Sequence, residues 1–472
     1  MDSRISARAL AEALGGWRGR GPAYEALADG IRLLCLDNRI APRTALPAER
    51  ELAAALGLSR TTVAATYRSL RDTRHIESLR GSGSITLPLR RTDPGVDDRR
   101  DGVIDLQQAS PAAWPGLPAV FAEVAQDGAA LLARTGYDVV GAPGLRESIA
   151  QHYRQRGLTT SADQILVTTG AQSALHLIAA VLLSRADRVL IETPTYPHGA
   201  DAFRGVGARL VGVPVAPDAG WDLDRAAQTF ARAMPALAYL MPEFHNPTGR
   251  TMTPEEVEAF IDGAQRAGTL LVLDETTAGL DIDRPVAATA FPDSDRIVRV
   301  GSLGKTVWGG LRVGWVRANA DIIRRLASGR PVHDLGTPEF EQAVATRVMG
   351  LLGEISAQRA DLLRAGRNAL TRALTETFPE WEVPTVHGGV SLWVGLGEPV
   401  STPLVMSARA RGLLLSAGSR FAVEGGHDRR LRIPYTAAPH TLERAVVVLR
   451  TAWDDVSGST PGSALDDLAA VV

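Results

Sequence analysis

The chain has 472 residues, of which 45 % are hydrophobic and 22 % charged, with a formal net charge of −2. That length predicts about three domains with room for a buried core, and the composition excludes a disordered or fibrous chain. No stretch reaches the roughly 18 uninterrupted apolar residues of a membrane span, so no membrane partner is expected. The single cysteine, Cys35, excludes an internal disulfide and any multi-cysteine metal site. Arg4, Arg8 and Glu12 are not followed by an apolar core and a cleavage site, so secretion is not expected and a cytoplasmic protein is.

Charge is distributed unevenly. Residues 1–90 carry 14 arginines against 9 acidic residues, and the remainder is acidic. A basic head on an acidic body suits contact with a polyanion. Tyr24, Leu27, Ile31 and Leu34 recur at helical spacing and predict a helix from Ala23 to Asn38, before Pro42 and Pro47 break the chain. A short helix from Ala48 to Leu56 stops at Gly57. Ser59 is placed to cap another that runs to Asp72, its hydroxyl accepting from free N–H groups of the first turn. Two short helices joined around a glycine have the helix-turn-helix layout. Val63, Tyr67 and Leu70 give the second helix a buried stripe, which turns Arg60, Thr61 and Arg68 outward. A hairpin-like piece follows, with Arg80-Gly-Ser-Gly-Ser84 between Ile76–Leu79 and Ile85–Leu87. The Pro, Gly, Asp and Arg residues after it read as a linker.

From Ile104 onward, apolar runs at Ile165–Val167, Val189–Ile191, Leu210–Val213, Leu237–Met241, Leu270–Leu273, Ile297–Val300 and Val313–Val316 alternate with helix-length segments. Runs buried on both faces and separated by helices predict a mainly parallel sheet in an α/β layer fold. Beyond Pro338, a long helical stretch leads to runs at Val390–Val394, Leu413–Leu415 and Leu431–Ile433 and a last helix near His440–Trp453, a smaller α+β domain. The expected division is a DNA-binding head over 15–89, a linker over 90–102, a large domain over 103–338, a small domain over 339–456 and a disordered tail over 457–472.

Among 51 basic residues there is one lysine, Lys305. Arginine replaces lysine wherever positive charge is enough, but it cannot form a Schiff base, so the surviving lysine points to amine chemistry. The other informative groups stand at ends of predicted strands, where open α/β sheets bind ligands. Thr168-Thr-Gly-Ala-Gln172 leads into a helix whose exposed N-terminus suits a phosphate, and Thr193-Pro-Thr-Tyr196 presents an aromatic ring. Asn246-Pro-Thr-Gly249 ends another strand. Asp274 closes a very apolar one, where an isolated carboxylate is costly unless paired with a cation. These positions make one site around a pyridoxal 5'-phosphate. Lys305 would form the Schiff base, Asp274 would pair with the pyridine nitrogen, Tyr196 would stack on the ring and Asn246 would donate to the phenolic oxygen. Ala171, Gln172, Ser302 and Arg312 would hold the phosphate, and Arg432 the carboxylate of an amino compound. No metal site is expected.

Residues from about 104 to 455 resemble a fold-type I, class I aminotransferase domain through Gly170-Ala-Gln172, Asn246-Pro-Thr-Gly249, Asp274 and Ser302-Leu-Gly-Lys-Thr306 with Arg312. Residues 23–90 resemble a GntR-type winged helix through Leu46-Pro-Ala-Glu-Arg50, Leu52-Ala53 and Ser59-Arg-Thr-Thr-Val63. That head joined to that body is the arrangement of the MocR family of regulators, which includes the PdxR type. The resemblance implies DNA contact by Arg50, Ser59, Arg60, Thr61 and Thr62, with a recognition helix in the major groove. It implies a wing at Arg80 and Gly81 along the backbone or minor groove, and a homodimer in which Tyr137 reaches the neighbour's phosphate. Each head is expected against the other subunit's body. Three positions depart from the pattern. Ala64 stands where many relatives carry a basic residue, Arg74 or His75 where many have glycine, and Thr276 or Thr277 where a tyrosine usually bonds the cofactor's phenolic oxygen.

The resulting expectation is a DNA-binding transcriptional regulator that senses pyridoxal phosphate, or a small amino compound, at Lys305 and acts on a double-stranded operator. The alternative is a working aminotransferase that carries a DNA-binding appendage. A binding module without cofactor has Lys305 against it.

Overall fold

The computed structural model describes residues 4–15, 17–18, 22–37, 39–79, 83–88, 102–133 and 135–457. The expected wing residues Arg80 and Gly81, the linker up to residue 101 and the tail from residue 458 lie outside the described residues. No helix among the described residues is long and apolar enough to cross a membrane.

The head contains four helices, α1 (Ala7–Leu14), α2 (Ala23–Leu36), α3 (Glu49–Leu56) and α4 (Arg60–Asp72), and an antiparallel pair, β1 (Ile76–Leu79) and β2 (Gly83–Thr86). Gly57 ends α3 in the left-handed region at φ +64°, and Ser59 caps α4 by accepting from the Thr62 N–H at 3.1 Å. Leu10, Leu14 and Trp17 join Leu27, Ile31, Leu52, Val63 and Leu70 in one core. The head therefore begins at α1, ahead of the expected boundary at residue 15. Arg74 takes a left-handed φ of +56° in the turn into β1, which is the physical reason glycine suits that turn.

Beyond the linker come β3 (Ile104–Asp105), β4 (Ile165–Thr168), β5 (Arg188–Thr193), β6 (Arg209–Ala216), β7 (Gly220–Trp221), β8 (Leu237–Leu240), β9 (Leu270–Asp274), β10 (Ile297–Ser302) and β11 (Gly314–Arg317). Eight of these form one sheet in the order β4-β11-β10-β9-β8-β5-β6-β7. The five central strands from β10 to β6 are mutually parallel, whereas β11 runs antiparallel to both its neighbours and β7 closes the far edge antiparallel. Helices cover both faces, so the apolar runs are buried twice over.

The small domain contains β12 (Ser391–Gly395), β13 (Leu413–Leu414), β14 (Ser416–Ala417) and β15 (Arg430–Pro434). Of these, β12, β15 and β14 make an antiparallel sheet, while β13 pairs in parallel with β3. Phe378 stacks on Trp381 at 3.9 Å within its core. Two boundaries differ from expectation. The helix Glu339–Met349 buries Val344, Ala345 and Val348 against Ile149 and Val167, so it belongs to the large domain. Ile104, Leu106 and Ala109, expected in the large domain, lie in the small domain's core. Which layer a helix or strand joins is decided by its partner, and amphipathic spacing does not specify the partner. The head rests on the small domain of its own chain, with α2 along the helix Ser401–Ala410 and Leu33 within that domain's core.

Candidate functional site

The C-terminal ends of β4, β5, β8, β9 and β10 point to one edge of the sheet, and a cavity of about 440 Å³ opens there. Its walls bring together Ala171, Gln172, Tyr196, Asn246, Asp274, Ser302, Lys305, Arg312 and Arg432, nine residues expected from the sequence. Tyr137 does not line it and is 71 % exposed.

Each wall follows from local structure. Gly170, at φ +86°, turns the chain from β4 into the helix Ala171–Leu182 and leaves its first N–H groups facing the cavity side. A Cβ on Gly170 would stand 2.7 Å from an Arg312 nitrogen, and one on Gly314 would stand 2.7 Å from the Gly170 carbonyl carbon. Glycine at both positions lets the backbone close into a cradle. Arg312 is held beside it by donating to Thr169 O at 2.7 Å. Ser302 accepts from the Gly304 N–H at 3.0 Å and so shapes the turn that carries Lys305.

Asp274 is buried at the end of β9. Its Oδ1 accepts the Thr276 N–H at 3.0 Å and its Oδ2 the Tyr239 hydroxyl at 2.7 Å. Burial raises its pKa, while the hydrogen bonds from Thr276 and Tyr239 act the other way. Lys305 donates to Ala109 O at 2.6 Å. Burial, and then the charge of Arg432, lower its amine to about 8, against the opposing charge of Asp274. Arg432 lies over the Phe421 ring at 4.9 Å and donates to Gln107 O. Burial lowers its pKa to about 10, so it remains a cation at neutral pH. Thr277 donates its hydroxyl to Glu243 O at 2.9 Å, which leaves that hydrogen committed to the backbone.

Sequence reasoning missed Tyr239, the segment Gln107–Ser110 and Arg420, all part of this site or its support. Tyr239 sits in an apolar run and reads as core. The segment's role follows only from its pairing with β13. Arg420 is one arginine among many.

On the head, Arg50, Ser59, Arg60, Thr61 and Arg68 are exposed, whereas Val63, Thr66, Tyr67 and Leu70 are buried. Thr62 is half-buried, with its hydroxyl 2.8 Å from Ser59 Oγ, so it takes part in the cap.

A three-layered body with this sheet order, and a lysine and an aspartate at the strand ends, defines a fold-type I pyridoxal-phosphate domain. The match to "Aminotransferase class I and II" spans residues 116–449, so the chain belongs to that family, and residues 23–85 match "Bacterial regulatory proteins, gntR family". Among particular relatives, it is 28 % identical over 313 residues to the uncharacterized HTH-type transcriptional regulator YdfD of Bacillus subtilis, covering 65 % of this chain and 64 % of that protein. It is 30 % identical over 325 residues to the probable rhizopine catabolism regulatory protein MocR of Rhizobium meliloti, covering 62 % and 65 % respectively. The match thus spans just under two thirds of each regulator's length. A 2-aminoadipate transaminase of Thermus thermophilus is 29 % identical over 293 residues, covering 60 % of this chain and 72 % of that enzyme. In fold, the chain is similar to the alpha-aminoadipate aminotransferase LysN of Thermus thermophilus, with TM-score 0.69 and 24 % identity over 76 % of this chain and 94 % of that one.

Pyridoxal phosphate is the cofactor of this family, and the residues present fit it. The Asn246 side-chain amide makes no hydrogen bond among the described residues and lines the cavity, so its N–H2 group is free to donate to a phenolic oxygen there. The glycine cradle beside Arg312 suits a phosphate, Asp274 a pyridinium and Lys305 an aldehyde.

Proposed function

We propose that this protein is a DNA-binding transcriptional regulator whose aminotransferase-like body holds pyridoxal 5'-phosphate at Lys305. In this reading the body senses the cofactor itself or a small amino compound, in the cytoplasm. The observation that carries the proposal is the joint presence of an exposed, Ser59-capped recognition helix and a converged Lys305–Asp274 cavity in one chain. Bound there, the cofactor would supply an electron sink and an aldehyde that amines exchange on. The chain's own residues would do the rest. Tyr196 would cover the ring, Asn246 would donate to the phenolic oxygen, and Ala171, Gln172, Ser302 and Arg312 would hold the phosphate. Arg432 would orient a carboxylate.

Arg50, Ser59, Arg60, Thr61 and Thr62 would meet the operator, and two heads of a homodimer would read paired half-sites. Tyr137 would reach the partner's phosphate, while the head, expected against the other subunit's body, packs here on the small domain of its own chain. The test is operator titration by apo protein, by cofactor-loaded protein and by loaded protein with candidate amines. Three superimposed isotherms would remove the sensor role.

A second reading, a working aminotransferase, is supported by Lys305, Asp274 and Arg432 in one cavity. The commitment of the Thr277 hydroxyl to Glu243 O weighs against it, because it leaves only the shorter Thr276 where a tyrosine usually serves the cofactor's phenolic oxygen. Turnover in a coupled assay with common amino acids and 2-oxo acids would favour the enzyme.

A further inference from the structure

Arg420 lies on the cavity wall beside Phe421, and its side chain is only 9 % exposed. It donates to Asp201 Oδ2 at 3.0 Å, and Asp201 also faces Arg204 at 3.4 Å. One carboxylate thus serves two guanidinium groups, which leaves a surplus of positive charge. Among the described residues the Asp201 contact is the one hydrogen bond Arg420 makes, so most of its N–H fork remains open. Arg432 stands on the same wall, also nearly buried, and its Nε has no partner among the described residues. Both arginines act on Tyr196 and on His198. Two guanidinium groups facing one cavity, each with unfilled donors, suit two anionic groups on the occupant.

We infer that the amino compound taken by this cavity carries a second acidic group, held by Arg420 while Arg432 holds the first. The inference rests on the proposal that the cavity senses an amino compound at Lys305. A neutral side chain would leave the Arg420 donors desolvated and unpaired, whereas a carboxylate completes them. The ligand class is thus a dicarboxylic amino acid, and its chain length is set by the span between the two arginines.

The test uses the full chain loaded with pyridoxal phosphate. Its visible absorbance is titrated with L-aspartate, L-glutamate and L-2-aminoadipate, and in parallel with L-asparagine, L-glutamine and L-norvaline. At least one acid should act at a concentration about tenfold or more below its neutral counterpart, the lower end of what a hydrogen bond to a charged group contributes. Arg420→Gln should collapse that ratio and Arg420→Lys should keep part of it. The ratio is read within each protein, so a general loss of affinity leaves it intact. Acid and amide acting equally on a protein that carries the cofactor absorbance would overturn the inference alone. So would a preference that survives in Arg420→Gln. A protein that never acquires the absorbance would overturn the reading beneath it as well.

Discussion

Tyr239 donates its hydroxyl hydrogen to Asp274 Oδ2 at 2.7 Å, across the parallel pair β8–β9 and wholly inside the protein. Burial first, and then the Asp274 charge, raise the phenol well above its ordinary pKa, so it remains a donor at every pH the fold tolerates. Room for the ring comes from Gly199, where a Cβ would stand 3.2 Å from Tyr239. The pair holds one carboxylate oxygen in place and stabilises its charge, ready for a cationic partner.

Tyr239→Phe removes that donor and leaves the carboxylate less completely solvated by the protein. Cofactor affinity should fall by about 1–2 kcal/mol, roughly tenfold, while the melting transition changes little. Absorbance titration with pyridoxal phosphate reads the affinity. An unaltered dissociation constant would show that the phenol plays no part in holding Asp274.

Lys305 reacts only as a neutral amine, and its pKa is lowered to about 8. Above that value the neutral form dominates. Below it, each unit of pH should slow cofactor capture by about tenfold. Lys305→Ala should leave no stable visible absorbance. Stopped-flow mixing across this range checks the slope, and a rate independent of pH would contradict the assigned nucleophile.

Arg60 opens α4 and is exposed beside the capped first turn. Arg60→Ala should cost about 1–3 kcal/mol in operator affinity and relax specificity at one base position. Binding should also weaken with salt, because released counterions carry the non-specific part. A uniform loss across all sequences would instead mark Arg60 as a phosphate contact.

Tyr137 is exposed, as are Leu132, Val332 and Leu335, and the isolated bridge between Asp138 and Gly336 sets the segment after Tyr137 beside the one after Leu335. Such a patch suits burial against a second copy. Sedimentation should show a dimer at micromolar concentration. Tyr137→Phe should weaken cofactor binding by about 1 kcal/mol without dissociating it. A monomer whose cofactor affinity is untouched by Tyr137→Phe would remove this role.

Much of this architecture is legible in the residues alone. The apolar runs at Leu237–Met241 and Leu270–Leu273 are buried on both faces and become central strands, and Ser59 caps α4 through its hydroxyl. Lys305 stands out because a lysine among arginines is chemically distinct. What is not legible depends on who neighbours whom. Tyr239 reads as another core aromatic because its partner is over thirty residues away in the chain, on the adjacent strand. Helix α1 offers only Leu10 and Leu14 as buried anchors, too few for periodicity to register. Helix Glu339–Met349 shows its apolar stripe but not the layer it will join.

The segment Gln107–Ser110 supplies carbonyls to two cations of the cavity, Lys305 and Arg432. Lys305 donates to Ala109 O, Arg432 donates to Gln107 O, and β3 just before it is fastened to β13. A filled site draws both cations elsewhere: the amine onto an aldehyde, the guanidinium onto a carboxylate. Two carbonyls of one short segment, just after β3, then give up their donors together. Filling the cavity and loosening the segment that follows β3, part of the small domain's core, become one event.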